Sequence, residues 1–115
     1  MTIQRYHVGP RLSEIVVHNN TVYLCGQIAD NLDKDAKGQT EEVLASIDRL
    51  LAEVGSDKKR VLSVTVYLAD MADFDKMNEA WAAWVPYGHT PARATVAGNL
   101  ADCRYKVEMV VTAAL

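Results

Sequence analysis

The sequence predicts an α+β fold in which two helices pack on one face of a mixed β-sheet. Short segments alternate between apolar and polar residues, and two longer segments repeat apolar residues at helical spacing. Their order along the chain is three strands, a helix, a strand, a helix and two strands. At 115 residues, half of them hydrophobic, the chain fits a single domain, residues 1–115, with one core.

The N-terminal third contains three predicted strands. IQRYHV alternates, and SEIVVHNNTVYLCGQI has two β-rich runs on either side of Asn19 and Asn20. Asparagine tolerates positive φ, so this pair predicts a tight two-residue hairpin turn. A polar, acidic connection from Asp30 to Lys37 follows the third strand.

Two segments predict amphipathic helices. EEVLASIDRLLAEVG repeats apolar residues at helical spacing, which predicts a helix that begins near Glu41 and Glu42 and ends at Gly55. MADFDKMNEAWAAWV carries a second apolar stripe, which consists of Phe74, Met77, Trp81 and Trp84. Both stripes are typical of helices that cover a core.

The remaining segments predict three more strands. VLSVTVYL places Leu62, Val64, Val66 and Leu68 on one face and polar residues on the other. PARATVAG and YKVEMVVTAAL are joined by the short connection NLADCR, which predicts that they form an antiparallel pair. Since two helices cover one face of the sheet, the other face is left free, and a half-apolar free face predicts a homo-oligomer.

Composition argues against several classes of partner. The apolar runs are too short to span a membrane and the N-terminus has no apolar signal core, so we expect a cytoplasmic protein without membrane partners. The net charge of −3 includes no basic block, so nucleic acid is not an expected partner. Cys25 and Cys103 form no CxxC pair, which gives no sign of disulfides or zinc.

The sequence also gives no sign of a metal or a cofactor. His7, His18 and His89 lack the spacing of metal ligands. No glycine-rich phosphate loop is present, so no nucleotide cofactor is indicated. We therefore predict a function that needs neither.

Arg93 is the most informative residue, because it is a charge within the strand segment HTPARATV. Alternation places Arg93 and Thr95 on one face of their strand and Glu108 on one face of the last strand. If the two faces coincide, the arginine and the carboxylate form a pair. A structural ion pair is the commoner arrangement, and a site that holds a small carboxylate beside Glu108 is the alternative.

Four segments together resemble one family. CGQI, YLADMADFDKMNEAW, TPARATV and YKVEMVVTAA resemble, in order, the SGQI, DM-x-DF-x-x-MN, PAR and VEIEA signatures of the RidA (YjgF) family of enamine/imine deaminases. The resemblance covers nearly the whole chain. The HNN hairpin and GHTPARATV are similar to the short bacterial YoaB-like branch of that family.

The resemblance implies a chorismate-mutase-like fold and a homotrimer whose sheets form a central barrel, with a ligand cleft at each subunit interface. It also implies site residues. The arginine that binds the substrate carboxylate corresponds to Arg93, and the glutamate that places the attacking water corresponds to Glu108. The remaining substrate-binding positions correspond to Thr95, Cys25, Gly26 and Asn78.

The function implied by the resemblance is hydrolytic deamination of reactive enamines or imines that bear a carboxylate, such as 2-aminoacrylate, to 2-keto acids and ammonia. The alternative is a trimer that binds or senses a keto acid or an amino acid without turnover. Four departures bear on the substrate. Arg11 and Leu12 lie where many deaminating members carry a pocket tyrosine, and the loop between CGQI and the first helix is short. Cys25 replaces serine, and Trp81 lies where a tyrosine is common. An RNA-associated activity, also attached to this family, is disfavoured by the acidic charge balance.

Overall fold

A computed structural model describes residues 2–115. It contains one six-stranded mixed sheet and two α-helices packed on one of its faces, and it confirms the predicted order of strands and helices. Short 3₁₀ turns precede β4 and α2. The elements are β1 Gln4–Val8, β2 Ser13–His18, β3 Thr21–Leu24, α1 Ala36–Glu53, β4 Val61–Leu68, α2 Phe74–Trp84, β5 Ala92–Ala97 and β6 Val107–Ala114.

The hairpin between β2 and β3 is built as predicted. Asn19 and Asn20 have φ values of 51° and 61°, which is the left-handed conformation that a two-residue turn of this kind requires. The turn sets the register, so His18 pairs with Thr21.

Helix α1 begins at Ala36, five residues before the predicted start at Glu41. The cap is Asp35, whose carboxylate accepts a hydrogen bond from the backbone N–H of Gly38 at 2.9 Å. This bond lowers the pKa of the Asp35 carboxyl. The prediction was wrong because it assigned the helix start by its apolar stripe, whereas the capping residue lies in the polar segment before it.

The sheet order is β1-β2-β3-β6-β4-β5. The predicted antiparallel pairing of β5 with β6 is wrong: β5 pairs with β4 in parallel at the sheet edge, and β6 lies antiparallel between β3 and β4. Helix α2 is the physical reason, because a helical crossover after β4 returns the chain to start a parallel neighbour.

The core lies between the sheet and the helices. Strand residues on the helix side are buried against the apolar stripe of α1, and Met77 and Trp81 of α2 are buried as well. Leu62 departs from the predicted alternation, since it is 52% exposed. A register shift between Val61 and Ser63 inserts one extra residue, so Val61 is buried in its place.

The opposite face of the sheet is covered by neither helix. Three large apolar side chains on it are 39–48% exposed: Tyr23, Val96 and Val110. The predicted uncovered face is therefore confirmed in the single chain, while the homo-oligomer stays a prediction. Neither helix within residues 2–115 is both long and apolar enough to pass through a membrane.

Candidate functional site

Arg93 lies on the helix side of the sheet, in edge strand β5. It pairs in register with Val64, and its guanidinium reaches the aromatic stripe of α2. The guanidinium carbon is 5.0 Å from the ring centre of Trp81 and 5.9 Å from that of Phe74. Both contacts are within the range of cation–π attraction, so the two rings hold the guanidinium in place.

The polar contacts of Arg93 are few. Nη1 donates to Oδ1 of Asn78 at 2.7 Å and lies 3.9 Å from the sulfur of Met77. Within residues 2–115 no carboxylate forms an ion pair with it. Burial lowers the pKa of the guanidinium, which nevertheless stays charged at neutral pH. A guanidinium has five N–H donors, so most of them are free to bind an anion.

Thr95 follows on the same face of β5 and pairs in register with Val66. Its hydroxyl oxygen is buried and has no hydrogen-bond partner within residues 2–115. An unsatisfied buried polar group costs about 1–3 kcal/mol, so such a group is a candidate to bind a ligand. We call Arg93, Asn78 and Thr95, with the rings of Phe74 and Trp81, the Arg93 half-site.

Glu108 lies on the uncovered face, where it pairs in register with Tyr67 of β4. Its carboxylate packs on the α-carbon of Gly26, so a β-carbon at residue 26 would overlap it. Gln27 fixes this loop on β6, since its N–H donates to the carbonyl of Met109 at 2.8 Å and its carbonyl accepts from the N–H of Met109 at 3.1 Å. We call Cys25, Gly26 and Glu108 the Glu108 half-site.

Cys25 is half-buried beside Glu108. The side-chain amide of Gln27 donates to the carbonyl of Cys25 at 3.0 Å and lies 3.4 Å from its sulfur. Burial, followed by the negative charge of Glu14, raises the pKa of the Cys25 thiol. The thiol is therefore protonated at neutral pH, and its chemistry is that of a small hydrogen-bonding group rather than of a nucleophile.

The two half-sites lie on opposite faces of the sheet. Arg93 shares the face of its β4 partner Val64, whereas Glu108 shares the face of its β4 partner Tyr67. Val64 and Tyr67 are three residues apart on one strand, so their side chains point to opposite faces of the sheet. The structural ion pair between Arg93 and Glu108, favoured from spacing, is therefore wrong. Within one subunit the two residues do not form a single cleft either.

Sequence reasoning found every polar member of the two half-sites but missed two contributions. Phe74 was assigned to the core, and Trp81 to the core and to a narrowed pocket, but the contact of both rings with the guanidinium of Arg93 was not predicted. Their spacing of seven residues on one helix face was the available signal. Glu14 was missed as a neighbour of Cys25, since only the pairing of β2 with β3 brings them together.

Comparison with known proteins supports the family. A family described as Endoribonuclease L-PSP matches residues 2–115. The chain is 48% identical to the RutC family protein YoaB of Escherichia coli over the full length of both chains.

The chain belongs to the RidA (YjgF) family. A crystal structure of a YjgF family member from Neisseria meningitidis, NMB1025, is 46% identical, with a TM-score of 0.96 over 99% of this chain and 95% of that one. Reactive Intermediate Deaminase A of Arabidopsis thaliana is 32% identical over 91% of this chain and 59% of its own length. These relatives show the family and the fold of this RidA-family chain.

The site residues assigned to this RidA-family chain from its sequence stay predictions. Their geometry is compatible with the roles assigned to them, since Arg93 has free donors and Glu108 is a half-buried carboxylate beside a pocket glycine. Within residues 2–115 no three side chains of His, Cys, Asp or Glu form a cluster suited to a metal ion.

Proposed function

We propose that this RidA-family chain hydrolyses reactive enamines and imines that bear a carboxylate, releasing a 2-keto acid and ammonia. The observation that carries the proposal is the guanidinium of Arg93, which lies against two rings and has most of its donors free. Such a group is suited to bind a small carboxylate in two parallel hydrogen bonds. The name of the Arabidopsis relative supports the same reaction class.

The reaction needs positioning more than it needs a strong nucleophile. The enamine takes up a proton at carbon and becomes an imine, whose carbon atom is electrophilic. Arg93 binds the carboxylate and fixes that carbon, while Glu108 orients a water molecule and accepts its proton as the new C–O bond forms. The nitrogen takes up both protons that the water loses, one of them by way of Glu108, and the C–N bond breaks. Nitrogen leaves as ammonia, and the water oxygen becomes the keto oxygen.

A complete site requires two subunits, because Arg93 and Glu108 lie on opposite faces of one sheet. We propose a homotrimer in which the uncovered faces form a central barrel, as in a chorismate-mutase-like assembly. The Arg93 half-site of one subunit then faces the Glu108 half-site of its neighbour. The exposed apolar residues of the uncovered face support this arrangement, since burying them favours association.

A second candidate function is carboxylate binding without turnover. One observation favours it: the Arg93 half-site is complete within a single subunit, so it can hold a keto acid or an amino acid without Glu108. In that case ligand affinity depends on Arg93 and is independent of Glu108.

An endoribonuclease activity, which the family description names, is not favoured for this chain. Twelve Lys and Arg residues are outnumbered by fifteen Asp and Glu residues. Neither half-site contains a histidine that could act as a general acid or base on RNA.

The first test uses an amino-acid oxidase and alanine to generate 2-iminopropionate, and follows pyruvate formation. We expect the wild-type protein to accelerate hydrolysis, and we expect Arg93→Ala and Glu108→Ala to abolish the acceleration. If the wild type binds pyruvate but does not accelerate hydrolysis, the proposal of carboxylate binding without turnover replaces the proposal of an enzyme.

The second test asks whether each site uses two subunits. The Arg93→Ala and Glu108→Ala variants are denatured, mixed in equal amounts and refolded together. If each site takes its two residues from different subunits, about a quarter of the sites regain both, and about a quarter of wild-type activity returns. Each variant refolded alone is the control. No recovery in a mixed oligomer would place both residues of a working site in one subunit.

A further inference from the structure

A cleft of about 220 Å³ lies between helices α1 and α2. None of its residues belongs to the Arg93 half-site or to the Glu108 half-site. The cleft is smaller than the pockets of about 300–1,000 Å³ that hold drug-sized ligands, so its size suits a small molecule. Residues of both helices and one lysine from the 3₁₀ turn before β4 line it: Glu41, Leu44, Ala80, Ala83, Trp84 and Lys58.

The two helices are tied together on both sides of this cleft. Nζ of Lys37 lies 3.6 Å from the carboxylate of Glu79 on one side. On the other side, Nε1 of Trp84 donates to Oδ2 of Asp48 at 3.0 Å. The cleft is therefore present before any ligand binds, and a ligand does not have to part the helices to enter it.

Trp84 forms a fixed aromatic wall in the cleft. Its indole N–H is bound by Asp48, and its backbone carbonyl accepts a hydrogen bond from Nζ of Lys58 at 2.8 Å. The same ammonium lies 5.5 Å from the centre of the indole ring, within the range of cation–π attraction. Leu44 and Ala80 are buried and complete an apolar middle section, against which a short hydrocarbon chain can pack.

The carboxylate of Glu41 is an unpaired negative charge in the cleft. It forms no ion pair in the part of the chain that the structure describes. The two lysines that precede it on the polar side of the chain, Lys34 and Lys37, pair with Glu42 and Glu79 instead. Glu41 is therefore free to accept hydrogen bonds from a cation.

Lys58 supplies a positive charge at the other end of the cleft. Its ammonium has three N–H donors, of which the carbonyl of Trp84 takes one, and no carboxylate within residues 2–115 pairs with it. Glu41 lies seven residues before Asp48, which is about 10 Å along α1, and Asp48 binds the indole beside this ammonium. The cleft thus has opposite charges at its two ends.

We propose that this cleft binds an ω-amino acid, with the ligand ammonium on Glu41 and the ligand carboxylate on Lys58. Four methylenes between the two charged groups, with a hydrogen bond of about 3 Å at each end, span a length close to the separation of the charges in the cleft. An α-amino acid holds its two charges too close together to reach both ends. A dicarboxylate or a diamine matches only one end.

The test compares three ligands of equal chain length. 5-Aminopentanoate carries both charges, pentanoate carries only the carboxylate, and pentylamine carries only the ammonium. The chain has two tryptophans, so two indole N–H signals are expected in a ¹H–¹⁵N spectrum, and Trp84→Phe identifies the one from Trp84. We expect the Trp84 signal to shift on titration, with 5-aminopentanoate binding about tenfold more tightly than either of the other two, because one more charge-assisted hydrogen bond is formed.

Glu41→Gln removes the charge of an exposed side chain, so folding is not at risk. We expect it to lower the affinity for 5-aminopentanoate about tenfold, to that for pentanoate, and to leave the affinity for pentanoate unchanged. Lys58→Met keeps the apolar stem and is expected to lower the affinity for 5-aminopentanoate to that for pentylamine. The matched control is Asp75→Asn, which removes an exposed carboxylate of α2 outside the cleft and should change none of these affinities.

The same titrations in Arg93→Ala separate this site from the proposed function, since the carboxylate of either acid could also bind Arg93. We expect the preference for 5-aminopentanoate to persist there. Loss of the Trp84 shift in Arg93→Ala would place the ligand in the Arg93 half-site and overturn the inference. Equal affinity of the wild type for the three ligands, absence of any shift, or a preference that survives in Glu41→Gln would overturn it as well. Binding of pentylamine as tight as that of 5-aminopentanoate would assign the cleft to a lysine side chain of a protein partner instead.

Discussion

The two half-sites differ in how the chain builds them. The Arg93 half-site comes from neighbouring elements, α2 and β5, and its charge is held by side-chain contacts with rings and one amide. The Glu108 half-site joins residues more than eighty positions apart, and it is held by backbone pairing between Gln27 and Met109 and by the packing of a carboxylate on a glycine.

This difference indicates that the two half-sites have different tasks, one in binding and one in the chemical step. Side-chain contacts on a helix face can present a charge for binding within a single subunit. A carboxylate that must orient water needs a defined position, and the backbone pairing of Gln27 with Met109 holds Gly26 where the Glu108 carboxylate packs on it. The Arg93 half-site is therefore expected to govern affinity, and the Glu108 half-site is expected to govern the chemical step.

The sharpest test of that division is Glu108→Gln, which keeps the shape of the side chain and removes the base. We expect kcat for 2-iminopropionate to fall by about 10²–10⁴, the usual contribution of general acid–base catalysis, with KM nearly unchanged. Steady-state kinetics measures both quantities, and size-exclusion chromatography controls for assembly. A rise in KM at constant kcat would assign Glu108 to binding instead.

Arg93→Lys tests whether the Arg93 half-site governs affinity. Lysine keeps the charge but loses the planar fork and the stacking on Trp81, so we expect affinity for pyruvate to fall by about tenfold. The expected effect on kcat is smaller than that on KM. Retention of wild-type affinity would mean that a point charge is sufficient and that the ring contacts of Arg93 do not serve binding.

Gly26→Ala perturbs Glu108 without changing it. The added β-carbon forces the carboxylate to move, and we expect kcat to fall by about fivefold with little loss of stability, because the glutamate side chain is flexible. The matched control is Gly98→Ala, since a β-carbon at Gly98 meets no atom within 4 Å. Equal activity of the two variants would show that the observed position of Glu108 is not needed.

Cys25→Ser is expected to have the smallest effect, about twofold or less, because a protonated thiol and a hydroxyl are both small hydrogen-bonding groups. The raised pKa of the thiol also predicts that the wild-type rate shows no cysteine ionisation between about pH 7 and about pH 8. The measurement is the pH–rate profile of both proteins. Loss of activity in the serine variant would indicate a thiolate nucleophile.

Features that depend on neighbouring residues could be predicted from the sequence. Asn19 and Asn20 predicted their turn because positive φ is a property of the residue type. The stripe on α2 predicted which face is buried, since helical spacing brings those residues together. The extent of α1 was less predictable, because its cap at Asp35 competes with other polar residues in the same segment.

Features that depend on strand pairing could not be predicted. The crossover through α2 determines which strands lie beside β5 and β6. The alternation of residues within a strand does not reveal this pairing. Opposite faces for Arg93 and Glu108 follow from the register across β4, and a shift of one residue would have reversed the result. The resemblance supplied the site residues, while the register decided which of them meet in one subunit.

The position of the tryptophans gives this protein a built-in optical probe. The chain has two tryptophans, both in α2, with ring centres 5.5 Å apart, and Trp81 lies against the guanidinium that we expect to bind carboxylates. Occupation of Arg93 changes the electric field at Trp81 and should shift its emission. Ligand titrations can therefore be followed by intrinsic fluorescence on unlabelled protein, without a turnover assay.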